Sequence, residues 1–136
     1  MSHFSTIKTK IKEKPALLEA LNLLGKTPNV PFAGCKVVEL VVTNPDHAEE
    51  HPTVEADIAI GVDAGFKLNE ETGVYDFIAD HQTWDDDIPI DRFVQKLTQQ
   101  YARMVVHSAI KEKGFVVDEE WEMDDNSIEI SVSRWT

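Results

Sequence analysis

The densest group of side chains that could bind a ligand in this sequence lies between positions 80 and 87. Its acidic members are Asp80, Asp85, Asp86 and Asp87. Carboxylate oxygens are the ligands that hard cations such as Ca²⁺ and Mg²⁺ prefer, so these four residues are candidate ligands for a weakly bound divalent cation. The segment lacks the alternating acids, central glycine and closing glutamate of an EF-hand loop. A solvated turn that leads into a helix is therefore the alternative interpretation.

Other residues with possible chemistry are more isolated. His81 has no second histidine at helical spacing, whereas His47 and His51 are four positions apart but lie in a short segment bracketed by prolines. Cys35 is the single cysteine and has no partner for a disulfide. We find no nucleophile elbow and no glycine-rich phosphate loop. The sequence predicts no catalytic and no cofactor-binding residue. An enzyme with an unfamiliar site near His81 is therefore the least favoured hypothesis.

Two further groups could mediate protein contacts. Tryptophan is enriched in the energetically dominant positions of protein interfaces, so Trp84, Trp121 and Trp135 are candidate interaction residues if they are exposed. The second group is a cluster of basic residues near the N-terminus, which is either a solvated face or a docking patch for an acidic partner. Its members are Lys8, Lys10, Lys12, Lys14 and Lys26.

Composition restricts the class of protein. A chain of 136 residues is expected to form a single domain, 1–136. Its formal net charge of −12 repels phosphate backbones, which argues against a nucleic-acid partner. No apolar run approaches the roughly 20 residues of a membrane span, and a lone cysteine suits a reducing compartment. We therefore expect a protein of the cytosol or the plastid stroma that does not bind membranes.

The pattern of apolar residues predicts an α+β fold. Strands are expected from the alternation of apolar and polar residues, and helices from apolar residues at helical spacing. Because the links between strands are short, we expect a mainly antiparallel sheet with two helices packed on one face, a two-layer sandwich in the order β-α-β-β-β(β)-α-β-β. Both termini are expected to be strands of that sheet. The predicted strands are 4–11, 37–42, 54–62, 66–68, 74–79, 115–123 and 128–132, and the predicted helices are 15–24 and 91–113.

Several segments, taken in order, resemble one family. They are SHFSTIKTKI, LLEALNLLG, YDFIADHQTW, FVQKLTQQYA, GFVVDEE and SIEISVSRW. These segments resemble the conserved hypothetical chloroplast reading frame thirty-five family, a domain of unknown function of cyanobacteria and red-algal plastids. The resemblance implies a photosynthetic cell, or a virus of one, and supplies no catalytic residues. We expect an accessory or adaptor protein that acts through an unidentified protein partner; the alternative is a metal- or small-ligand-binding regulator that uses the loop from Asp80 to Asp87.

Overall fold

The computed structural model describes residues 4–28, 38–41, 53–61, 63–81, 84, 88–125 and 127–134. Several residues singled out in the sequence lie outside these ranges, and the fold is described without them. They are Cys35, His47, His51, Asp85, Asp86, Asp87 and Trp135.

Two helices and eight strands make up the described chain. Their order is β1 (Ser5–Lys8), α1 (Lys14–Leu23), β2 (Val38–Val41), β3 (Thr53–Ala56), β4 (Ile58–Ala59), β5 (Ala64–Asn69), β6 (Val74–Ala79), α2 (Ile90–Glu112), β7 (Phe115–Glu122) and β8 (Ile128–Arg134). All strand pairs are antiparallel. The strands form a four-stranded sheet in the order β1-β6-β5-β4 and two hairpin-like pairs, β2-β3 and β7-β8. The predicted α+β class with antiparallel pairing and two helices is confirmed.

The main core lies between the four-stranded sheet and the two helices. Phe77 of β6 is at its centre, with its ring centroid 4.9 Å from that of Phe66 and 5.6 Å from that of Phe93. Leu21 of α1 and Leu97 of α2 are fully buried in the same cluster. Because residues from both helices and from one face of the sheet share this cluster, both helices cover the same face. Neither described helix combines the length and apolarity needed to cross a bilayer.

A hydroxyl from α2 helps to fix the start of α1. The preceding residue, Glu13, makes no side-chain cap, and Pro15 occupies the first turn, where its missing N–H costs nothing. Instead, the backbone N–H groups of Lys12 and Glu13 both donate to Tyr101 Oη at 2.9 Å. Gly25 then follows the helix with a positive φ of 80°, as helix ends commonly require.

The segment predicted as one strand over 54–62 is two strands. The break falls at Asp57, whose carboxylate accepts a hydrogen bond of 2.6 Å from the backbone N–H of Leu68. In a regular strand ladder this backbone N–H would donate to a backbone carbonyl oxygen, and here a side-chain carboxylate is the acceptor instead. Ala56 and Ile58, which a regular strand would place on one face, consequently belong to different apolar clusters, and Ala56 shares its cluster with Ala59.

The first and the last elements of the described chain are strands, as predicted, but they lie in different sheets. β1 pairs with β6, whereas within the described chain β8 pairs with β7 and with no other strand. The reason lies in α2, which at 23 residues is about 34 Å long. Its fully buried residues, Ile90, Phe93 and Leu97, are confined to the N-terminal part, so the remaining length is available to the β7-β8 pair.

Replacing Leu97 with alanine tests the phase of α2. Leu97 is fully buried, and truncation of such a leucine removes transfer free energy and leaves a cavity. We expect the free energy of unfolding to fall by about 2–5 kcal/mol, measured by urea denaturation. The control is Leu23→Ala, since Leu23 is 55% exposed and should change stability by about 0.5 kcal/mol or less. Equal losses in the two variants would contradict the assignment.

Candidate functional site

The predicted metal loop is described only at its start. Asp80 follows β6 and is 2% exposed, and its carbonyl oxygen accepts a hydrogen bond of 2.9 Å from the backbone N–H of Trp84. His81 lies in the exposed turn after it. Among the residues with described positions, no group of three or more acidic, histidine or cysteine side chains is arranged to hold a metal ion. Since Asp85, Asp86 and Asp87 lie outside the described ranges, the cation site stays a prediction.

The two described tryptophans have different surroundings. Trp84 packs against the main core, with its ring centroid 5.3 Å from that of Phe93, and its indole N–H donates to the carbonyl oxygen of Ile88 at 2.8 Å. Trp121 on β7 is 43% exposed. Trp135 lies outside the described residues. Trp121 is therefore the described tryptophan with a face available to a partner.

Part of the lysine cluster is engaged within the molecule. Lys8 forms an ion pair of 3.0 Å with Asp76 on the neighbouring strand β6. Lys26 Nζ lies 5.6 Å from the ring centroids of Trp84 and of Phe93, within the range of a cation–π contact. These contacts give two of the five lysines a structural role, and a docking role for the cluster stays a prediction.

Trp121 belongs to a distinct unit, the C-terminal hairpin, which we define as β7, β8 and the turn between them. The two strands pair from Phe115 opposite Arg134 to Glu122 opposite Ile128. A bulge interrupts β7 between Val117 and Glu119, where the register shifts by one residue. A bulge of this kind twists and bends the strand that contains it.

One face of the C-terminal hairpin packs on the C-terminal part of α2. Glu120 lies opposite Ile130 and Glu122 lies opposite Ile128. Both glutamates reach α2, since Gln99 Nε2 donates to Glu122 Oε1 at 3.3 Å and Glu120 binds two other α2 residues. Because side chains alternate between the faces of a strand, Trp121 and its cross-strand neighbour Glu129 lie on the opposite face.

An ion cluster joins the hairpin to the helix. Arg103 of α2 donates from Nε and Nη2 to the two carboxylate oxygens of Glu120, at 2.5 and 2.9 Å. His107, one turn further along α2, places Nε2 3.0 Å from Glu120 Oε1. All three side chains are less than one third exposed. We call these three residues the ion cluster.

The electrostatics of the ion cluster are those of a structural clamp. Hydrogen bonding to Arg103, assisted by that to His107, outweighs the effect of burial and lowers the pKa of Glu120 from 4.5 to about 2. The same pairing raises the pKa of Arg103. A bidentate guanidinium–carboxylate pair is geometrically specific as well as strong. The arrangement therefore fixes the hairpin relative to α2. Glu120 stays ionised and Arg103 stays protonated, so the pair is better suited to orienting the hairpin than to transferring a proton.

The outer face of the hairpin is both apolar and acidic. Near Trp121, the large apolar side chain of Met123 is exposed. Between Phe115 and Arg134 the sequence has seven acidic residues and one basic residue, which gives a net charge of −6, half of the −12 of the whole chain. Glu120 and Glu122 are among these acids and face α2, so the outer face itself carries Glu119 and Glu129 near Trp121.

A shallow groove runs between α2 and β8, with a volume of about 290 Å³. We call it the β8 groove. Its lining is mainly apolar or uncharged: Thr98, Gln99, Ala102, Arg103, Val106, Ser127, Ile128 and Ile130. Arg103 is already bound to Glu120. Val106 in this groove is 42% exposed and Val132 on β8 is 40% exposed, so apolar surface continues along this side of the strand.

Sequence reasoning missed both the ion cluster and the β8 groove. The signal for the first is the pair Arg103 and His107, which are four residues apart and therefore lie on one side of α2. This spacing shows that two basic groups share a flank, but it does not show which carboxylate they bind. The groove has no local signal, because it forms between residues 98–106 and residues 127–130, which meet only in the folded chain.

Comparison with known proteins gives a family but no activity. A family model described as "Protein of unknown function (DUF1257)" matches residues 39–131. "Uncharacterized protein ycf35" of Pyropia yezoensis is 32% identical over 139 aligned residues, which cover 99% of this chain and 98% of that protein. The proteins of the same name from Cyanophora paradoxa and Guillardia theta are each 30% identical with the same coverage. No solved structure matches the chain significantly.

The ion cluster predicts a pH-dependent contribution to stability. Because the pKa of Glu120 is lowered in the folded chain to about 2, its ion pair with Arg103 stabilises the fold fully above pH 4.5, and this contribution disappears as the pH falls towards 2. At pH 7 we expect Glu120→Gln to lower the free energy of unfolding by about 1–2 kcal/mol, measured by urea denaturation. The difference from the parent protein should shrink between pH 5 and pH 2.

The control for this prediction is Glu70→Gln, an exposed residue in the β5-β6 turn. It should change stability little at either pH, since it lies outside the ion cluster. Hydrogen exchange adds a local readout: amides of the C-terminal hairpin should exchange faster in the Glu120 variant, while those of α1 stay unchanged. Equal effects of the two substitutions would mean that the ion cluster does not hold the hairpin.

Calcium titration tests the predicted cation loop. Adjacent like charges repel one another, and a divalent cation relieves that repulsion. We expect backbone amide shifts at and around Asp80 with a midpoint on the order of 0.1–1 mM, as in weak calcium modules, and loss of these shifts in the double variant Asp85→Asn, Asp87→Asn. Shifts of equal size over all acidic surfaces, the C-terminal hairpin included, would show counter-ion screening instead.

Proposed function

The chain belongs to the DUF1257 family, and from this membership and its C-terminal hairpin we propose that it is a non-enzymatic accessory or adaptor protein of photosynthetic cells. In this proposal it acts through contacts with another protein in the cytosol or the plastid stroma. The family resemblance supports the photosynthetic setting. The surface of the hairpin supports the mode of action.

The observation that carries the proposal is the exposure of Trp121 on the outer face of the hairpin. A tryptophan presents a large apolar area with only two rotatable side-chain bonds, and it is enriched at positions that dominate binding energy. Met123, two positions further along the chain, is a second exposed apolar side chain near it. Glu119 and Glu129 lie on the same face as Trp121, as polar residues of an interface rim lie around its apolar centre.

The position of this tryptophan is also fixed before any partner arrives. An isolated two-stranded hairpin is marginally stable in water at best, so without support the face would be mobile. The ion cluster supplies that support from α2, because Glu120 is the residue that precedes Trp121 and is held at two oxygens by Arg103. A preorganised contact loses less conformational entropy on binding, which favours a binding role for this face.

The charge of the surface favours a protein partner over nucleic acid. A hairpin with a net charge of −6 repels phosphate groups, whereas basic protein surfaces are attracted to it and associate with it faster. We therefore propose a partner that presents Lys or Arg residues around an apolar site for Trp121.

Truncation of Trp121 tests the proposed function. The chain would be expressed with an affinity tag in a photosynthetic host, crosslinked in the cell, and its recovered partners quantified by mass spectrometry. We expect Trp121→Ala to lower recovery of specific partners by about tenfold or more, the scale of an interface hot spot.

Leu23→Ala is the matched control, because Leu23 is the most exposed large apolar residue of the described chain and lies on α1, a different element from the hairpin. It should leave partner recovery unchanged. Thermal denaturation of both variants checks that they are folded. Identical partner profiles for the parent protein and Trp121→Ala, with both folded, would refute a contact role for this face.

A further inference from the structure

We propose that β8 is the edge at which an extended segment of the partner protein adds as a further antiparallel or parallel strand, and that this segment alternates basic and apolar residues. The proposal rests on the proposed function, since it assumes that the C-terminal hairpin binds a protein. It goes further by naming the edge, the backbone conformation of the partner and the chemistry of its side chains.

The two edges of the hairpin differ in their ability to accept a strand. β7 contains the bulge between Val117 and Glu119, and bulges are one of the devices that blunt an edge against pairing. β8 is regular over its seven residues, Ile128–Arg134, and contains no proline and no lysine. Within the described part of the chain its pairing is with β7 alone. One row of backbone N–H and C=O groups on β8 is therefore suited to pair with an added strand.

The β8 groove supplies apolar contacts for alternate side chains of such a strand. It lies between α2 and β8 and has no lining residue from β7, which places it on the side of the free edge. Residues at every second position of an added strand would point towards α2. They would cover Val106 and Val132, which are among the exposed large apolar residues of the described chain. This arrangement is how strand addition obtains side-chain specificity in known recognition modes.

The charge of the hairpin selects basic residues for the remaining positions. Side chains that point away from α2 would lie beside Glu129, and further acids surround it across the hairpin. These are Asp118, Glu119, Asp124 and Asp125. An added strand with Lys or Arg on that side complements these carboxylates, whereas a strand with acidic residues is repelled.

The same charge argues against a second copy of this chain as the occupant. Pairing of β8 with β8 of another copy would bring together two hairpins that each have a net charge of −6. Like charges placed directly opposite one another on paired strands are destabilising. Symmetric edge-to-edge dimers therefore meet a repulsion that a basic partner strand does not.

A synthetic peptide of alternating lysine and valine, seven residues long to match β8 and blocked at both ends, tests the proposal. The measurement is amide hydrogen exchange and backbone shifts of the whole isotope-labelled protein by NMR. At about 1 mM peptide we expect the β8 amides that point away from β7 to exchange about tenfold more slowly. Amides of the bulged edge of β7 should be unaffected.

Two peptides and two protein variants serve as controls. A glutamate–valine peptide should not bind, and a peptide with its lysines and valines in two separate blocks should shift surface signals without protecting β8 amides. The variant Glu129→Lys should weaken binding of the lysine–valine peptide by about tenfold, whereas Glu70→Lys, in the exposed β5-β6 turn, should not. Binding should also weaken as the salt concentration is raised from about 50 to about 500 mM, because salt screens the attraction between exposed charges.

Each outcome has a defined meaning. Protection of β8 amides by the alternating peptide, sensitive to Glu129→Lys, supports strand addition by a basic segment. Equal binding of the alternating and block peptides without amide protection means charge attraction only and overturns the proposal. Protection of β8 without peptide, growing with protein concentration, means self-pairing and also overturns it.

Failure of this inference is distinguishable from failure of the proposed function. If Trp121→Ala removes partners in the cell while the alternating peptide leaves β8 unprotected, the hairpin binds its partner through its face and not through the β8 edge. If the peptide protects β8 but Trp121→Ala changes no partner, the edge accepts basic strands and the proposed role of Trp121 is wrong.

Discussion

The position of the C-terminal hairpin depends on the ion pair between Arg103 and Glu120. Beyond Leu97 no residue of α2 is fully buried, so the apolar core that fixes the N-terminal half of the helix does not extend to the hairpin. A guanidinium bound through two nitrogens to both carboxylate oxygens defines distance and orientation together. With His107 on the same oxygen, this contact sets which face of β7 and β8 meets the helix, and therefore which face meets solvent.

That constraint explains why one tryptophan is structural and another is exposed. Trp84 follows the four-stranded sheet, where Phe77 and Phe93 surround it and Ile88 satisfies its indole N–H. Trp121 follows Glu120 directly, and a strand turns consecutive side chains to opposite faces. Once Glu120 is held against α2, Trp121 must point away from it. The exposure of an apolar residue at this position is thus a consequence of satisfying the charged residue next to it.

Local patterns predicted the elements well and their association less well. The limits of α2 agree within about a residue with the period of its apolar side, and the β5-β6 hairpin follows from Gly73, which adopts a φ of +74° at the end of its turn. The break at Asp57 was not predictable, because its cause is a hydrogen bond to Leu68, eleven residues away. Separation of the termini into different sheets likewise depends on how far the core extends along α2. For the candidate site, the sequence shows the residue types. It does not show the exposure of Trp121, the ion cluster or the β8 groove, because these arise from tertiary contacts.

An unpaired strand edge normally favours aggregation, because it can pair with another chain. The charge of this hairpin affects that risk. Natural sheets protect their edges with bulges, prolines, lysines or covering elements. The bulge protects the edge of β7, whereas β8 contains no bulge, proline or lysine. What β8 does have is a strongly acidic setting, which opposes pairing with an identical hairpin without opposing a basic strand. Acidic residues around this edge therefore oppose self-association. They leave the hydrogen-bonding groups of the edge accessible to a partner of opposite charge. A bulge or a proline in β8 would have blocked both kinds of pairing equally.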